Sequence, residues 1–134
     1  MSEANIEVAR KIYACFDAGD KSGFLDLVAE DVVWDHRGNE NPECPINKLF
    51  EGRKGVQEFI ETVETTQEVI AHEAHEFFAS GDRVATFGYF KSRVTATGKE
   101  FSSNWAQVFT VEDGLVTNWK LYFNFTAAAL AYQH

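Results

Sequence analysis

Residues 107–124, QVFTVEDGLVTNWKLYFN, indicate two β-strands that turn back on each other at Asp113-Gly114, a dipeptide typical of hairpin turns. If this pair closes a three-residue loop with Gly114 in the left-handed conformation, the odd-numbered residues of both strands share one face. That face is large and aromatic, as a pocket wall would be: Trp105, Gln107, Phe109, Val111, Leu115, Thr117, Trp119, Leu121 and Phe123. The even-numbered face is smaller and mixed, as a subunit interface could be, and includes Ala106, Val108, Thr110 and Val116.

The chain on either side of this hairpin divides into helices first and strands afterwards. Apolar residues at spacings of three and four predict helices over 4–18 and 52–66, with a short helix around Phe24 between them. Strands are predicted over 31–36, 68–79, 84–95, 99–111 and 115–125, followed by a short helix over 126–132. Residues 37–50 form a predicted loop that is long enough to act as a lid. Helices followed by an antiparallel meander predict an α+β domain.

Composition and charge set limits on the class of function. The 134 residues fit one domain, with 45% hydrophobic and 25% charged side chains and 14% aromatic residues. A net charge of −9 disfavours nucleic-acid and anionic membrane partners. The first residues lack an apolar signal segment and no run of 18 apolar residues occurs, so we expect a cytoplasmic protein. Two cysteines, Cys15 and Cys44, do not indicate a disulfide framework.

Four segments in order carry a family resemblance: FDAGD, LVAEDVVWDH, FEGRKGVQEFI and QVFTVEDGLVTNWKLYFN. Together they resemble the nuclear-transport-factor-2-like superfamily, in its SnoaL-like and ketosteroid-isomerase-like group. The resemblance implies a single α+β domain over residues 1–134. Its cone-shaped, curved antiparallel or mixed sheet would be wrapped by N-terminal helices around an apolar pocket. It also implies dimerisation through the sheet, whereas the activity stays open because this fold hosts many functions.

Two enzyme families of this group allow a comparison residue by residue. The last strand resembles that of limonene-epoxide hydrolase until its final position, where Asn124 replaces the catalytic carboxylate. That family's Arg-x-Asp pair falls on residues 88–90, where neither member is present. The comparison with ketosteroid isomerase places its general base on His36 and an oxyanion-hole acid near Gln107. Its oxyanion-hole tyrosine falls on Ile12, one position before Tyr13. Neither mechanism is preserved whole.

His36 is the candidate catalytic residue. Both comparisons place a pocket residue at this position, and histidine titrates near neutral pH. In an aromatic pocket its pKa should fall below about 6.5, because burial disfavours the charged form and Asp35 points to the other strand face. The alternative is a surface or capping histidine where a strand gives way to a loop.

The candidate ligand-binding residues are Trp34, Trp105, Gln107, Phe109, Trp119, Phe123 and Asn124. Trp34 lies on the strand face of His36 and forms either the pocket wall or plain core. Gln107 contacts the ligand or makes an internal hydrogen bond. Asn124 binds the ligand or caps the terminal helix.

Metal and cofactor motifs do not occur in the sequence. His72 and His75 are expected on opposite faces of a strand, which argues against a shared metal site. We therefore expect no metal and no cofactor. Two hypotheses remain. One is a cofactor-independent isomerase, cyclase or hydrolase/hydratase acting on an apolar ligand, with His36 as general acid/base. The other is a non-catalytic ligand-binding or dimerisation module.

Overall fold

The computed structural model describes residues 2–38 and 44–134. In chain order its elements are α1 (Ser2–Ala18), α2 (Lys21–Leu25), β1 (Val28–Asp35), β2 (Leu49–Glu51), α3 (Gly52–Thr66), β3 (Gln67–Ser80), β4 (Arg83–Val94), β5 (Glu100–Glu112), β6 (Leu115–Tyr122) and α4 (Phe125–Tyr132). The strands form one sheet in the order β2-β1-β6-β5-β4-β3. The predicted α+β class is confirmed.

Strand β2 lies within the segment that the sequence predicts as a loop. It pairs antiparallel with β1, where Phe50 lies opposite Trp34. Its three residues are too few to show a strand pattern of their own. The middle of that predicted loop, residues 39–43, lies outside the described residues, and a lid role for it stays a prediction.

The helices cover the inner side of the sheet with their apolar faces. Ala9, Ile12 and Tyr13 of α1 are buried, as are Phe59 and Ile60 of α3. In the part of the chain that the structure describes, no helix is long and apolar enough to span a membrane.

The hairpin between β5 and β6 differs in detail from the predicted one. Asp113 and Gly114 both have positive φ, at 53° and 79°, so the loop has two residues rather than three. A bulge after the Thr110–Asn118 pair restores the predicted parity, and Phe109 lies opposite Trp119. Beyond the bulge, away from the turn, the predicted sharing of one face by odd-numbered residues is confirmed, whereas next to the turn it is wrong.

Because of the bulge, the observed position of Val116 differs from the predicted one. Because Thr117 is the extra residue, Val116 pairs with Val111 and turns to the inner side. Its side chain is 0% exposed. Val116 therefore belongs to the core, and its predicted place on the outer, interface-like face was wrong.

Strand β1 begins three residues before the predicted start and makes the sheet mixed. It runs parallel to β6, with Trp34 beside Trp119 and Asp35 beside Lys120. This pairing joins two segments that are more than 80 residues apart in the chain. It brings the first strand's inward side chains next to the aromatic face of the hairpin.

Candidate functional site

A cavity lies between the inner face of the sheet and helices α1, α2 and α3. It contains about 600 Å³ of space not filled by atoms, a volume that includes the open space at its mouth. Its lining is mostly aromatic: Ile12, Tyr13, Phe16, Phe24, Trp34, His36, Ile46, Phe59, His72, Phe90, Trp105, Gln107, Trp119, Leu121 and Phe123.

The structure brings six of the eight sequence-predicted site residues to this lining: Trp34, His36, Trp105, Gln107, Trp119 and Phe123. Phe109 is 1% exposed and lies outside the lining. It stacks against Trp119, with ring centroids 4.6 Å apart. Phe109 therefore supports the wall of the cavity without reaching its interior.

Asn124 is also outside the cavity lining. Its Oδ1 accepts a hydrogen bond from the backbone N–H of Ala127 at 3.0 Å and caps helix α4. This is the second of the two roles that the sequence leaves open for Asn124. The cap fixes the chain just after Phe123 turns into the cavity.

His36 follows the last residue of β1 and is held there by its backbone. Its N–H donates to the carbonyl of Lys48 at 3.0 Å. The side chain is only 2% exposed and lies against Phe59, with ring centroids 4.6 Å apart. Neither ring nitrogen makes a hydrogen bond to any described residue. A buried imidazole in this state lacks the partners that buried polar groups normally have.

Burial lowers the pKa of His36 to about 3, because the aromatic surroundings disfavour the imidazolium. Asp35 acts in the opposite direction, and its effect is smaller. Its carboxylate is bound by the Arg37 guanidinium at 3.0 Å, which holds the pKa of Asp35 at about 2. The direction predicted for His36 is confirmed, and the ring is neutral at physiological pH.

Three indole N–H groups are, like the His36 ring nitrogens, buried without a hydrogen-bond partner among the described residues. The Nε1 atoms of Trp34, Trp105 and Trp119 are buried and make no hydrogen bond within the described chain. All three indoles line the cavity. Since an indole nitrogen can only donate, these groups need acceptor atoms that the described protein does not supply.

Tyr13 was not among the predicted site residues, although it lies one position from the place implied by the resemblance. Its hydroxyl donates to Gln107 Oε1 at 2.5 Å, because a carbonyl oxygen only accepts. It therefore accepts from Thr86 Oγ1, also at 2.5 Å. These hydrogen bonds fix the amide of Gln107 by its oxygen, and the amide nitrogen has no hydrogen-bond partner among the described residues. Burial raises the pKa of Tyr13.

His72 is another lining residue that sequence reasoning missed as a site candidate. Its Nδ1 lies 2.6 Å from Asp17 Oδ1, across 55 residues of sequence, so no local spacing indicates the pair. His75 is bound instead to Glu73 at 2.8 Å. Among residues 2–38 and 44–134, no group of three or more His, Cys, Asp or Glu side chains could hold a metal ion.

Gly88 and Phe90, on which the comparison with limonene-epoxide hydrolase places the Arg-x-Asp pair, have no polar side chain. Gly88 faces Trp105 across β4 and β5, and an added Cβ would collide with the indole and with the carbonyl of Glu73. Phe90 lines the cavity. The glycine makes room for the indole where that family places a charged side chain.

Comparison with solved structures gives strong likenesses over nearly the whole chain. An NTF2-like protein from Burkholderia xenovorans LB400 matches with a TM-score of 0.88 and 27% identity, covering 99% of this chain and 98% of that one. TerC, co-crystallised with polyporic acid, matches with a TM-score of 0.80 and 25% identity over 98% and 99%. A Mycobacterium tuberculosis protein in complex with estradiol-17β-hemisuccinate matches with a TM-score of 0.76 and 24% identity over 95% and 98%.

Comparison with curated proteins gave no match. The family model described as the SnoaL-like domain matches residues 9–119, from within α1 to within β6, and includes the cavity-lining residues from Ile12 to Trp119. Together with the NTF2-like structures, this match confirms the resemblance found in the sequence. The chain belongs to the SnoaL-like domain family, within the NTF2-like superfamily.

Proposed function

We propose that this protein binds a flat, largely apolar small molecule that carries hydrogen-bond acceptor oxygens. On that molecule it catalyses a cofactor-independent proton transfer, which results in isomerisation, cyclisation or hydration. His36 is the acid/base group, and Gln107 orients the ligand with its amide nitrogen.

The observation that carries this proposal is the His36 side chain, 2% exposed with both ring nitrogens unpartnered among the described residues. Leaving a buried donor or acceptor without a partner costs about 1–3 kcal/mol. Such a cost is typical of a binding site in which the bound ligand supplies the missing hydrogen-bond partner. The surrounding cavity fits this interpretation, and two similar proteins were crystallised with small molecules: TerC with polyporic acid and the mycobacterial protein with estradiol-17β-hemisuccinate.

The chemistry of the ligand follows from the indole N–H donors of the cavity that have no acceptor among the described residues. Trp34, Trp105 and Trp119 each offer an N–H and no acceptor. A hydrocarbon would fill the aromatic cavity but leave these donors unsatisfied. A ring system with carbonyl or hydroxyl oxygens satisfies both the apolar walls and the donors.

His36 can move a proton without acquiring a net charge. A neutral imidazole carries one N–H and one lone pair, so it can donate from one nitrogen while accepting at the other. This matters in a cavity where burial lowers the pKa of the ring to about 3. The ring would exchange one tautomer for the other and avoid the disfavoured imidazolium.

A non-catalytic binding module is the second candidate, and one observation favours it. With a pKa of about 3, the His36 ring is a weak base for any step that must hold the proton on the enzyme. The carboxylates of the related enzymes are also replaced in this chain, by His36 and Asn124 among others. Binding without turnover would use the same cavity and the same donors.

Binding is tested with a matched pair of probes, 9-fluorenone and fluorene, which share a flat ring frame and differ in one carbonyl. Calorimetric titration should show fluorenone binding more tightly by about tenfold, the effect of one well-formed hydrogen bond. His36→Phe should reduce this preference while fluorene affinity changes little. Equal affinities for both probes in the wild-type protein would contradict the ligand chemistry.

Turnover is tested by deuterium exchange at the acidic C–H positions of 2-tetralone in D₂O, followed by NMR. The wild-type protein should accelerate exchange over buffer, and His36→Phe should abolish the acceleration. Probe binding without accelerated exchange would favour the binding module. Absence of both would overturn the proposed function.

We also propose a homodimer formed through the outer face of the sheet, defined by Phe78, Ala85, Phe87, Ala106, Val108 and Tyr122. Phe78, Phe87 and Tyr122 are 57%, 39% and 53% exposed, which is unusual for large apolar side chains lying together. The rings of Phe78 and Phe87 are in contact, with centroids 6.0 Å apart. A second copy of the chain would cover this face with an equivalent one.

A further inference from the structure

His72 and Asp17 form an ion-pair-like contact at the wall of the cavity. The Nδ1–Oδ1 distance is 2.6 Å, short for a hydrogen bond between a ring nitrogen and a carboxylate. The His72 side chain is 10% exposed and lines the cavity, whereas the Asp17 side chain is 53% exposed. The pair therefore connects the cavity wall to a solvent-accessible carboxylate on α1.

The contact fixes the protonation pattern of the His72 ring. An ionised carboxylate only accepts hydrogen bonds, so Nδ1 carries the proton and donates to Asp17. In the neutral ring the lone pair is then on Nε2. This nitrogen has no hydrogen-bond partner among the residues that the structure describes, which leaves it available to a ligand.

Aromatic neighbours hold the His72 ring in place. It lies nearly parallel to Trp105, at 18° and 5.9 Å between centroids, and edge-on to Phe16 at 4.9 Å. Tyr13 and Phe90 complete the contacts, at 5.5 and 6.2 Å. The charged group in contact with the His72 ring is the Asp17 carboxylate. The Tyr13 hydroxyl is hydrogen-bonded to Thr86 and Gln107 instead. A ring fixed on several sides with one free lone pair is preorganised to accept a proton.

His36 and His72 occupy different environments in the same cavity. Ring contacts lead from His36 through Trp34 and Trp119 to Tyr13 and on to His72. His36 has no carboxylate bound to its ring, while His72 has Asp17 on Nδ1. Of the two rings, His72 is therefore the one that a carboxylate orients.

We propose that His72, oriented by Asp17, is a second proton-transfer residue of this cavity beside His36, and that it takes a proton from a hydroxyl group of the bound ligand. The ligand O–H bond breaks, an N–H bond forms at Nε2, and the electron pair stays on the ligand oxygen as a phenolate or enolate. The proton later returns to the ligand or passes to water, so the step needs no co-reactant. The inference rests on the proposed function, since it requires a ligand in the cavity, and it narrows that ligand to a phenol or enol.

The test uses 4-nitrophenol, a flat phenol whose anion absorbs visible light. Titrating the probe with excess wild-type protein across pH should show that its pKa is about one unit lower when bound, because the imidazolium–Asp17 pair stabilises the phenolate. Asp17→Asn keeps an acceptor for Nδ1–H but removes the charge, so most of that shift should disappear. His72→Gln should remove the shift entirely.

Glu73→Gln is the matched control, because Glu73 is bound to His75 in a pair that lies outside the cavity lining. It should leave the probe's bound pKa at the wild-type value. If Asp17→Asn and His72→Gln bind the probe with the wild-type shift, the His72 inference is wrong and the proposed function stands. If the wild-type protein binds neither 4-nitrophenol nor fluorenone, both fail together.

Discussion

The indole of Trp34 lies flat against the indole of Trp119, with ring centroids 4.1 Å apart and planes inclined by 8°. The two residues are partners in the parallel pairing of β1 with β6, which joins the first strand to the last. Phe109 stacks on the opposite side of Trp119 at 4.6 Å. The same stack thus fixes the sheet and forms the wall beside His36.

The first prediction is that Trp119→Ala lowers the free energy of unfolding by about 3–5 kcal/mol, the usual cost of truncating a buried Trp. Trp34 and Phe109 would both lose a stacking partner. Urea unfolding followed by circular dichroism measures the loss. Leu130→Ala is the control, because Leu130 is 56% exposed and its truncation should change stability by less than about 0.5 kcal/mol. A loss below 1 kcal/mol for Trp119→Ala would contradict the structural role of the stack.

Much of the cavity could be predicted because alternation along a strand is a local property. Alternation places Trp105 and Gln107 on one face of β5, and the bulge at Thr117 brings Trp119 of β6 onto the same face. The error at Val116 also has a local cause, since a bulge changes parity and leaves no mark in the residue types.

Contacts between distant segments could not be predicted in the same way. The Asp17–His72 pair depends on how α1 crosses β3, which periodicity within each element does not specify. Asn124 shows a different limit. An asparagine before a helix suits both a ligand and a cap, and only the geometry shows its Oδ1 on the Ala127 N–H.

The second prediction concerns stability against pH. Since burial lowers the pKa of His36 to about 3 in the folded chain, the unfolded chain binds more protons below its ordinary value of about 6.5. His36's contribution is fully present above pH 6.5 and is lost as pH falls toward 3. Between these two pH values, His36 makes the free energy of unfolding fall by up to about 1.4 kcal/mol per pH unit. The charged neighbours Asp35 and Lys120 act on the ring in opposite directions.

The measurement is urea unfolding of the wild-type protein and His36→Phe between pH 6.5 and 4.5, a window above the range where Asp35 titrates. The variant should lose stability less steeply as pH falls. His75→Gln removes a histidine that is exposed and should keep the wild-type slope. Equal slopes for wild type and His36→Phe would show that His36 is solvated in solution.

The third prediction concerns the hydroxyl chain of Thr86, Tyr13 and Gln107. Tyr13→Phe leaves the Thr86 hydroxyl, in a residue 0% exposed, without its acceptor, so we expect a loss of about 1–3 kcal/mol in the free energy of unfolding. Adding Thr86→Val removes the stranded hydroxyl, and the double variant should regain part of that loss. Unfolding curves of both variants measure this. A double variant less stable than Tyr13→Phe alone would show that the hydroxyl has another partner.

The last prediction tests the dimer through a charge placed on the outer face. Val108 lies between Ala85 and Lys120 in the register of β4, β5 and β6, on that face and away from the cavity. We expect the wild-type protein to sediment at micromolar concentration with twice its chain mass of 15.1 kDa. Val108→Glu would bury a carboxylate in the interface beside Lys120, whose Nζ already donates to the Arg37 carbonyl. Its desolvation costs several kcal/mol and should dissociate the dimer.

Lys11→Gln changes the net charge by the same amount at an exposed position of α1 and should leave the dimer intact. Fluorenone affinity should be the same in both variants, because neither residue lines the cavity. Val108→Glu therefore separates assembly from ligand binding. A wild-type protein that remains monomeric at these concentrations, or a Val108→Glu variant that dimerises as tightly as wild type, would show that the outer face is not the interface. The exposed rings of Phe78, Phe87 and Tyr122 would then need a different partner.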